Sequence, residues 1–278
     1  MGTRQREKVA SDPGASPDVL ARLAKDKDHV VRWLVAENPS ASPQVLTWLA
    51  SDENWFVRHG VASNENTPPE ILAELAKDKN VRDRVAENLN TPDSILVILA
   101  EDENEKVRDG VAGNLNTPPH TLAQLASDES PLVRESLAMN PYTSPDVLAQ
   151  LASDEEDDTR RAVADNPSTP PDTLAQLARS EEAWMRAFVA INKSTQSHTL
   201  SKLASDEDMY VRCGVAGNWS TPPEVILQLA SDEHEYVRGE VARNPSTPPD
   251  ILAKLAQDES EGVRNIARDN PRTPTDPS

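Results

Sequence analysis

The strongest constraint on this chain is that it repeats one sentence. Residues 166–191 read NPSTPPDTLAQLARSEEAWMRAFVAI, and residues 244–269 open with the same NPSTPPD. Anchored on Asn, or Asp in the first copy, units begin at Asp12, Asn38, Asn64, Asn88, Asn114, Asn140, Asn166, Asn192, Asn218 and Asn244, and once more at Asn270. The spacing is 26 residues (Asn218 to Asn244), with the unit at Asn64 two shorter (Asn64 to Asn88). A fixed period of this length specifies a solenoid, in which each unit buries its apolar face only against its neighbours.

Counting from the anchor, position 4 is Thr or Ala, positions 5 and 6 are mostly Pro, and position 7 is usually acidic, as in Thr67-Pro68-Pro69-Glu70. This predicts a helix start with Thr as N-cap, prolines in the first turn and an acid at capping-box spacing. Aliphatic residues at positions 9 and 12, with Ala at 13, give the helix one buried face. After a polar break comes a second short helix of the form V-R-x-x-V-A. Asn and Pro then stop it, the Asn being suited to a left-handed C-cap.

An Arg recurs in every second helix: Arg32, Arg58, Arg82, Arg108, Arg134, Arg160, Arg186, Arg212, Arg238 and Arg264. Six residues upstream lies Asp in nearly every copy: Asp26, Asp52, Asp102, Asp128, Asp154, Asp206, Asp232 and Asp258, with Asp78 in the short unit. A guanidinium can bond a carboxylate and a helix-end carbonyl together, so the pattern predicts a structural Arg–Asp ladder, pairing for example Arg134 with Asp128.

These residues resemble the bacterial leucine-rich repeat variant (LRV) family, with its signature N-P-x-T-P-x-x-L-x-x-L-A-x-D-x-x-x-x-V-R-x-x-V-A. The Asp and Val-Arg half also looks like a HEAT repeat. The resemblance implies an all-α, right-handed superhelical solenoid of about ten two-helix repeats, each an α-helix and a short α- or 3₁₀-like helix. The iron–sulfur segment known in the family is not expected, because the only cysteine is Cys213.

The organisation expected is a partial repeat over 1–11, a solenoid over 12–269 and a truncated repeat or tail over 270–278. Three departures stand out. The short unit is expected to lose part of its inter-helix loop. Ser180 replaces the ladder Asp in the Asn166 unit, with Glu181 a possible substitute, and residues 192–198 have lost all prolines. Residues 179–198 are therefore the expected flexible joint. In the last unit Ile266-Ala267 reads as a slip by one position.

The net charge of −19 argues against a phosphate-binding surface, and hence against nucleic acid as partner. A single Cys fits a reducing compartment such as the cytoplasm, no apolar run approaches membrane-spanning length, and no signal-peptide core is expected in residues 1–10. No cofactor, metal or catalytic motif is expected. The histidines are scattered, and the acidic run 154–158 lacks the Gly and alternation of a calcium loop.

What varies is the outward face of the second helix. Trp33, Trp55 and Phe56 fall there in the first units, and Trp184, Phe188, Met209, Tyr210 and Tyr236 in the later ones. Aromatics form only 4% of the chain, and clustered exposed aromatics anchor partners. The expected function is a non-catalytic scaffold for a protein partner. One alternative is an acidic decoy that mimics nucleic acid toward a basic protein. Another is a HEAT-like enzyme accessory or lyase, for which a pocket at Cys213 would be the sign.

Overall fold

The computed structural model describes residues 2–274. Among them are 21 α-helices and no strand, two helices for each sequence unit. The chain divides into two compact units, at Thr143 and Ser144. The first holds α1 (Thr3–Ala10), α2 (Pro17–Leu23), α3 (His29–Glu37), α4 (Pro43–Leu49), α5 (Trp55–Ser63), α6 (Pro69–Leu75), α7 (Arg82–Glu87), α8 (Asp93–Leu99), α9 (Glu105–Gly113), α10 (Pro119–Leu125) and α11 (Pro131–Met139). The second holds α12 (Pro145–Leu151), α13 (Asp157–Asp165), α14 (Pro171–Leu177), α15 (Ala183–Ile191), α16 (Ser197–Leu203), α17 (Met209–Gly217), α18 (Pro223–Leu229), α19 (Glu235–Arg243), α20 (Pro249–Leu255) and α21 (Glu261–Asp269). Both helices of each repeat are α-helical. The 3₁₀ character implied by the resemblance is confined to their ends, as in the Asp52 N–H bonded to Leu49 O at 3.0 Å.

The core is thin and periodic. Each first helix contributes a fully buried Leu or Ile (Leu46, Leu72, Leu96, Leu200, Ile226), and most second helices two buried residues four apart, such as Val211 and Val215. Where second helices approach closest, position 23 is Gly. A Cβ on Gly214 would stand 2.9 Å from the Ala190 Cβ, inside any tolerable contact.

The roles of the repeated polar residues differ from those the sequence suggested. Thr67 is not the N-cap; Pro68 is, with Pro69 at the first helical position. The fully buried Thr67 hydroxyl instead donates to Val61 O at 2.6 Å, closing the preceding helix, and Thr221 does the same to Val215 O. Side-chain capping at this helix start occurs at Ser42 and Ser144, while Ser16 at the same position makes no such bond. The anchor Asn does not adopt a left-handed C-cap either, since no described residue outside glycine has a positive φ. Asn218 is extended (φ −76°, ψ 125°) and 4% exposed. Its Nδ2 donates to Ala190 O at 2.8 Å and Asn192 O at 2.9 Å, and its Oδ1 accepts the Ser220 N–H at 2.9 Å. The same three bonds recur at Asn38, Asn64, Asn88, Asn114, Asn192, Asn244 and Asn270. Each anchor thus stitches its own turn and ties its repeat to the one before.

Two irregularities also differ from expectation. The short unit keeps its loop and loses helix: α7 has 6 residues where α5 and α9 have 9. Buried Val81 stands directly before it as N-cap. The last unit does not slip. Val263 and Ala267 occupy the two buried positions, Asn270 makes its usual bonds, and Ile266 is left half-buried at the surface. The tail expected over 270–278 lies partly outside the described residues.

Candidate functional site

The arginine ladder exists, but with another carboxylate than the sequence reading chose. Arg212 directs Nε to Asp232 Oδ2 at 2.7 Å and Nη2 to Asp232 Oδ1 at 3.1 Å, twenty residues downstream in the next repeat. Asp206, six residues upstream, supplies its main-chain oxygen to Nη1 at 2.9 Å. The same i+20 pairing joins Arg32 to Asp52, Arg58 to Asp78, Arg82 to Asp102, Arg108 to Asp128, Arg186 to Asp206 and Arg238 to Asp258. Arg6 likewise meets Asp26. Pairing within one repeat, as expected for Arg134 and Asp128, is therefore corrected: Arg134 Nη1 takes the Asp128 main-chain oxygen at 2.8 Å. The carboxylate of each Asp also accepts the N–H two residues on, as Asp232 does from His234 at 2.9 Å, which aims it at the incoming guanidinium.

This changes the reading of Ser180. Its neighbour Arg186 needs only a carbonyl there and finds Ser180 O at 3.0 Å and Glu181 O at 2.8 Å, while its carboxylate is Asp206. The arginine that lacks a partner at position 180 is Arg160, one repeat earlier. It turns to Asp157 on its own helix and keeps Asp154 O at 2.6 Å. Arg264 bonds Asp258 O at 2.7 Å.

Burial works against the Asp52, Asp128, Asp206 and Asp232 carboxylates, but hydrogen bonds from the arginine and the backbone, with the nearby positive charge, outweigh it. Their pKa values are held below the ordinary carboxylate value. For Asp258 the Arg238 hydrogen bond is the largest influence and acts in the same direction.

The aromatic residues differ in exposure. In the first unit Trp33 is half-buried, its Cδ1 3.1 Å from where a Cβ on Gly60 would lie, so it packs α3 against α5. Trp55 and Phe56 are exposed and stack on one another, centroids 3.9 Å apart. In the second unit Trp184 and Phe188 are half-buried and meet edge to face at 6.4 Å. Met209 is half-buried. Tyr210 and Tyr236, at the same position on α17 and α19, are 67% and 63% exposed. The Tyr236 ring stacks on His234, centroids 5.4 Å apart.

Several exposed apolar residues escaped the sequence reading. Leu89, Leu115 and Trp219 occupy position 2, where most units have Pro, and Tyr142 occupies position 3, where most have Ser or Asn. Lys193 Nζ lies 5.6 Å from the Trp219 ring centroid. Trp48, Ile98 and Leu227 stand on the outer faces of first helices. Departure from the repeat at a surface position is the signal that would have found them.

Burial, then the Glu240 carboxylate, pushes the Cys213 thiol up to about 11, so it stays protonated and is a poor nucleophile. His29 and His59 do not come together at a shared site. His59 Nε2 accepts from Arg84 Nε at 3.0 Å, and His29 faces Asp28. Among the described residues no group of three or more His, Cys, Asp or Glu is placed to hold a metal, and no helix is long and apolar enough to cross a membrane.

With the two-helix repeat and its ladders in view, comparison with known proteins becomes informative. A Leucine Rich Repeat Variant domain matches residues 4–55, and Leucine rich repeat variant repeats match 55–80, 157–182 and 237–260. The repeats over those residues are leucine-rich repeat variant repeats. A solved structure described as a leucine-rich repeat variant with a novel repetitive protein structural motif is 25% identical, with a TM-score of 0.56 over 79% of this chain and 87% of that one. An engineered protein (18% identity, 95% and 92% coverage, TM-score 0.31) and a chain of the Pds5–Scc1 complex (12%, 95% and 56%, 0.35) lie too far off to carry an argument. No curated protein matches. The recurrent Asn, Thr, Asp and Arg belong to the repeat itself, which leaves the variable surface positions as the residues particular to this chain.

Proposed function

We propose that this LRV array is a non-catalytic protein-interaction scaffold whose main partner site is the face of the second unit carrying Trp184, Phe188, Met209, Tyr210 and Tyr236. The observation that supports it most is the pair Tyr210 and Tyr236. Two large rings stand more than three-fifths exposed at the same position of successive helices, where nothing in the ladders or the core needs them. Trp184 and Phe188 extend the face as half-buried supports, and stacked Trp55 and Phe56 form a smaller patch in the first unit. Exposed aromatics of this kind typically become the buried anchors of an interface.

A second reading has its own support. The glutamates that follow the ladder Asp, among them Glu129, Glu233 and Glu259, are 86–89% exposed, which gives each unit an acidic row suited to a basic protein. Salt separates the two readings. Partner protein captured on the intact chain should stay bound when salt rises from ~0.1 to ~0.5 M if apolar anchors dominate, because screening acts on exposed charges. Release of the captured protein at the higher salt would favour the acidic decoy.

A further inference from the structure

The last two second helices of the second unit lack side chains that their predecessors carry. Position 22 holds Arg161 and Cys213 in earlier repeats of this unit, but Gly239 on α19. Position 19 holds Trp184, Tyr210 and Tyr236, but Gly262 on α21. Gly214 is demanded by helix packing; these two glycines are not. A Cβ on Gly239 would meet only Ile266 Cδ1, at 3.6 Å, and one on Gly262 only Ser260 Oγ, at 3.6 Å, both ordinary contacts. Together they leave a groove of about 270 Å³ between α19 and α21, walled by Tyr236, Val263 and Ile266.

The mouth of this groove is anionic. Glu235 and Glu240 line it, and Glu233 and Glu259 line the cavity that adjoins it. The two arginines present are already engaged. Arg243 is held by Glu240. Arg238 directs Nε and Nη2 to Asp258, Nη2 also to Glu259, and Nη1 to Asp232 O and Glu233 O. Glu235 also accepts the Ser260 hydroxyl and Glu233 lies 3.7 Å from Arg212, yet the four glutamates outnumber the two arginines that line the groove and its neighbour. What the groove offers a guest is therefore apolar wall from Val263 and Ile266, one exposed tyrosine and a rim of net negative charge. An arginine matches all three, with an aliphatic stem, a planar head that stacks on tyrosine and a fork that bonds carboxylates.

Resting on the reading that this face of the second unit meets a protein, we infer that the groove between α19 and α21 seats an arginine side chain of that partner, with its stem over Gly239 and its guanidinium between Tyr236 and the glutamates. The test titrates the intact ¹⁵N-labelled chain with N-acetyl-arginine methylamide and follows the amides of Gly239 and Gly262. Saturable shifts at these glycines are expected, at least tenfold weaker with the citrulline analogue, which keeps shape and loses charge. The lysine analogue should be weaker than arginine. Gly239→Leu, whose Cβ would meet only the end of the Ile266 side chain, should fill the groove and abolish the Gly262 shift while the rest of the spectrum is retained. Absence of saturable shifts, equal binding of citrulline or lysine, or shifts that survive Gly239→Leu would overturn the inference. If the probe fails to bind but a Tyr210→Ala, Tyr236→Ala variant still loses the captured partner, this inference alone falls. If the probe seats but that variant keeps its partner, the functional reading falls and the groove stands.

Discussion

Replacing Asn218 by Ala should be among the costliest single changes in the second unit. The side chain is 4% exposed and makes three bonds of 2.8–2.9 Å, two donated to the Ala190 and Asn192 carbonyls at the end of α15 and one accepted from Ser220. Each such bond contributes about 1 kcal/mol net, and a buried carbonyl stripped of its donor costs about 1–3 kcal/mol. With water admitted to part of the void, the expected loss is roughly 3–4 kcal/mol. Because repeat arrays need not unfold in one step, the quantity to measure is native-state hydrogen exchange of the α17 and α19 amides, together with the urea midpoint. Ser246→Ala, which removes an exposed bond to Trp219 O, serves as the control and should cost less than about 0.5 kcal/mol. Asn218→Asp keeps the acceptor but sets a carboxylate against two carbonyl oxygens, so it should be worse still at neutral pH and recover partly as acid protonates it. A loss below about 1 kcal/mol for Asn218→Ala would refute the claim that the anchor Asn binds repeat to repeat.

Four further outcomes follow from the same geometry. Arg212→Lys should lower the melting temperature despite the retained charge, since an ammonium cannot hold both Asp232 oxygens and the Asp206 carbonyl; an unchanged melt would mean the fork is dispensable. The ladder carboxylates have folded pKa values below their unfolded ones, so their stabilisation is complete above the unfolded carboxylate value of about 4 and is lost as pH falls through the depressed values; melts that stay level from pH 7 to pH 2.5 would contradict this. Thr159 occupies the buried Val position of α13 with its hydroxyl unpartnered, so Thr159→Val should stabilise by about 1 kcal/mol in urea titration, and no gain would show the hydroxyl to be satisfied. Residues 179–198 should exchange faster than the preceding repeat, because Arg160 lacks its inter-repeat carboxylate and α16 starts at Gln196 and Ser197 without proline or side-chain cap; equal protection would refute a joint there.

The repeat, the helix pair and the buried stripe were legible because hydrophobic spacing depends only on the helix itself. The ladder partner was not, and for a definite reason. In a 26-residue period, the position six before an arginine and the position twenty after it carry the same residue, so periodicity cannot tell them apart. The short unit breaks the tie: Asp78 is only four residues before Arg82, while Asp102 keeps its place twenty after it. Arg6 and Asp26 keep the same spacing of twenty. Asn and Thr were misassigned because their partners are main-chain carbonyls, which leave no mark in residue type. Trp33 could not be told from Tyr210 by sequence, since the Gly60 that receives it lies on the next repeat's helix.

The central claim is that the second unit's aromatic face binds a protein, and one comparison reaches it directly. Protein captured by the intact chain should be titrated against wild type and the Tyr210→Ala, Tyr236→Ala variant, with circular dichroism and melting recorded for both. Because both rings are largely exposed, the variant should keep its helicity and melt within a few degrees of wild type. Its affinity should fall at least ~30-fold, the equivalent of about 2 kcal/mol expected of an interface anchor. Unchanged affinity in the folded variant would contradict the claim and move the site to Trp55 and Phe56 or to the acidic row.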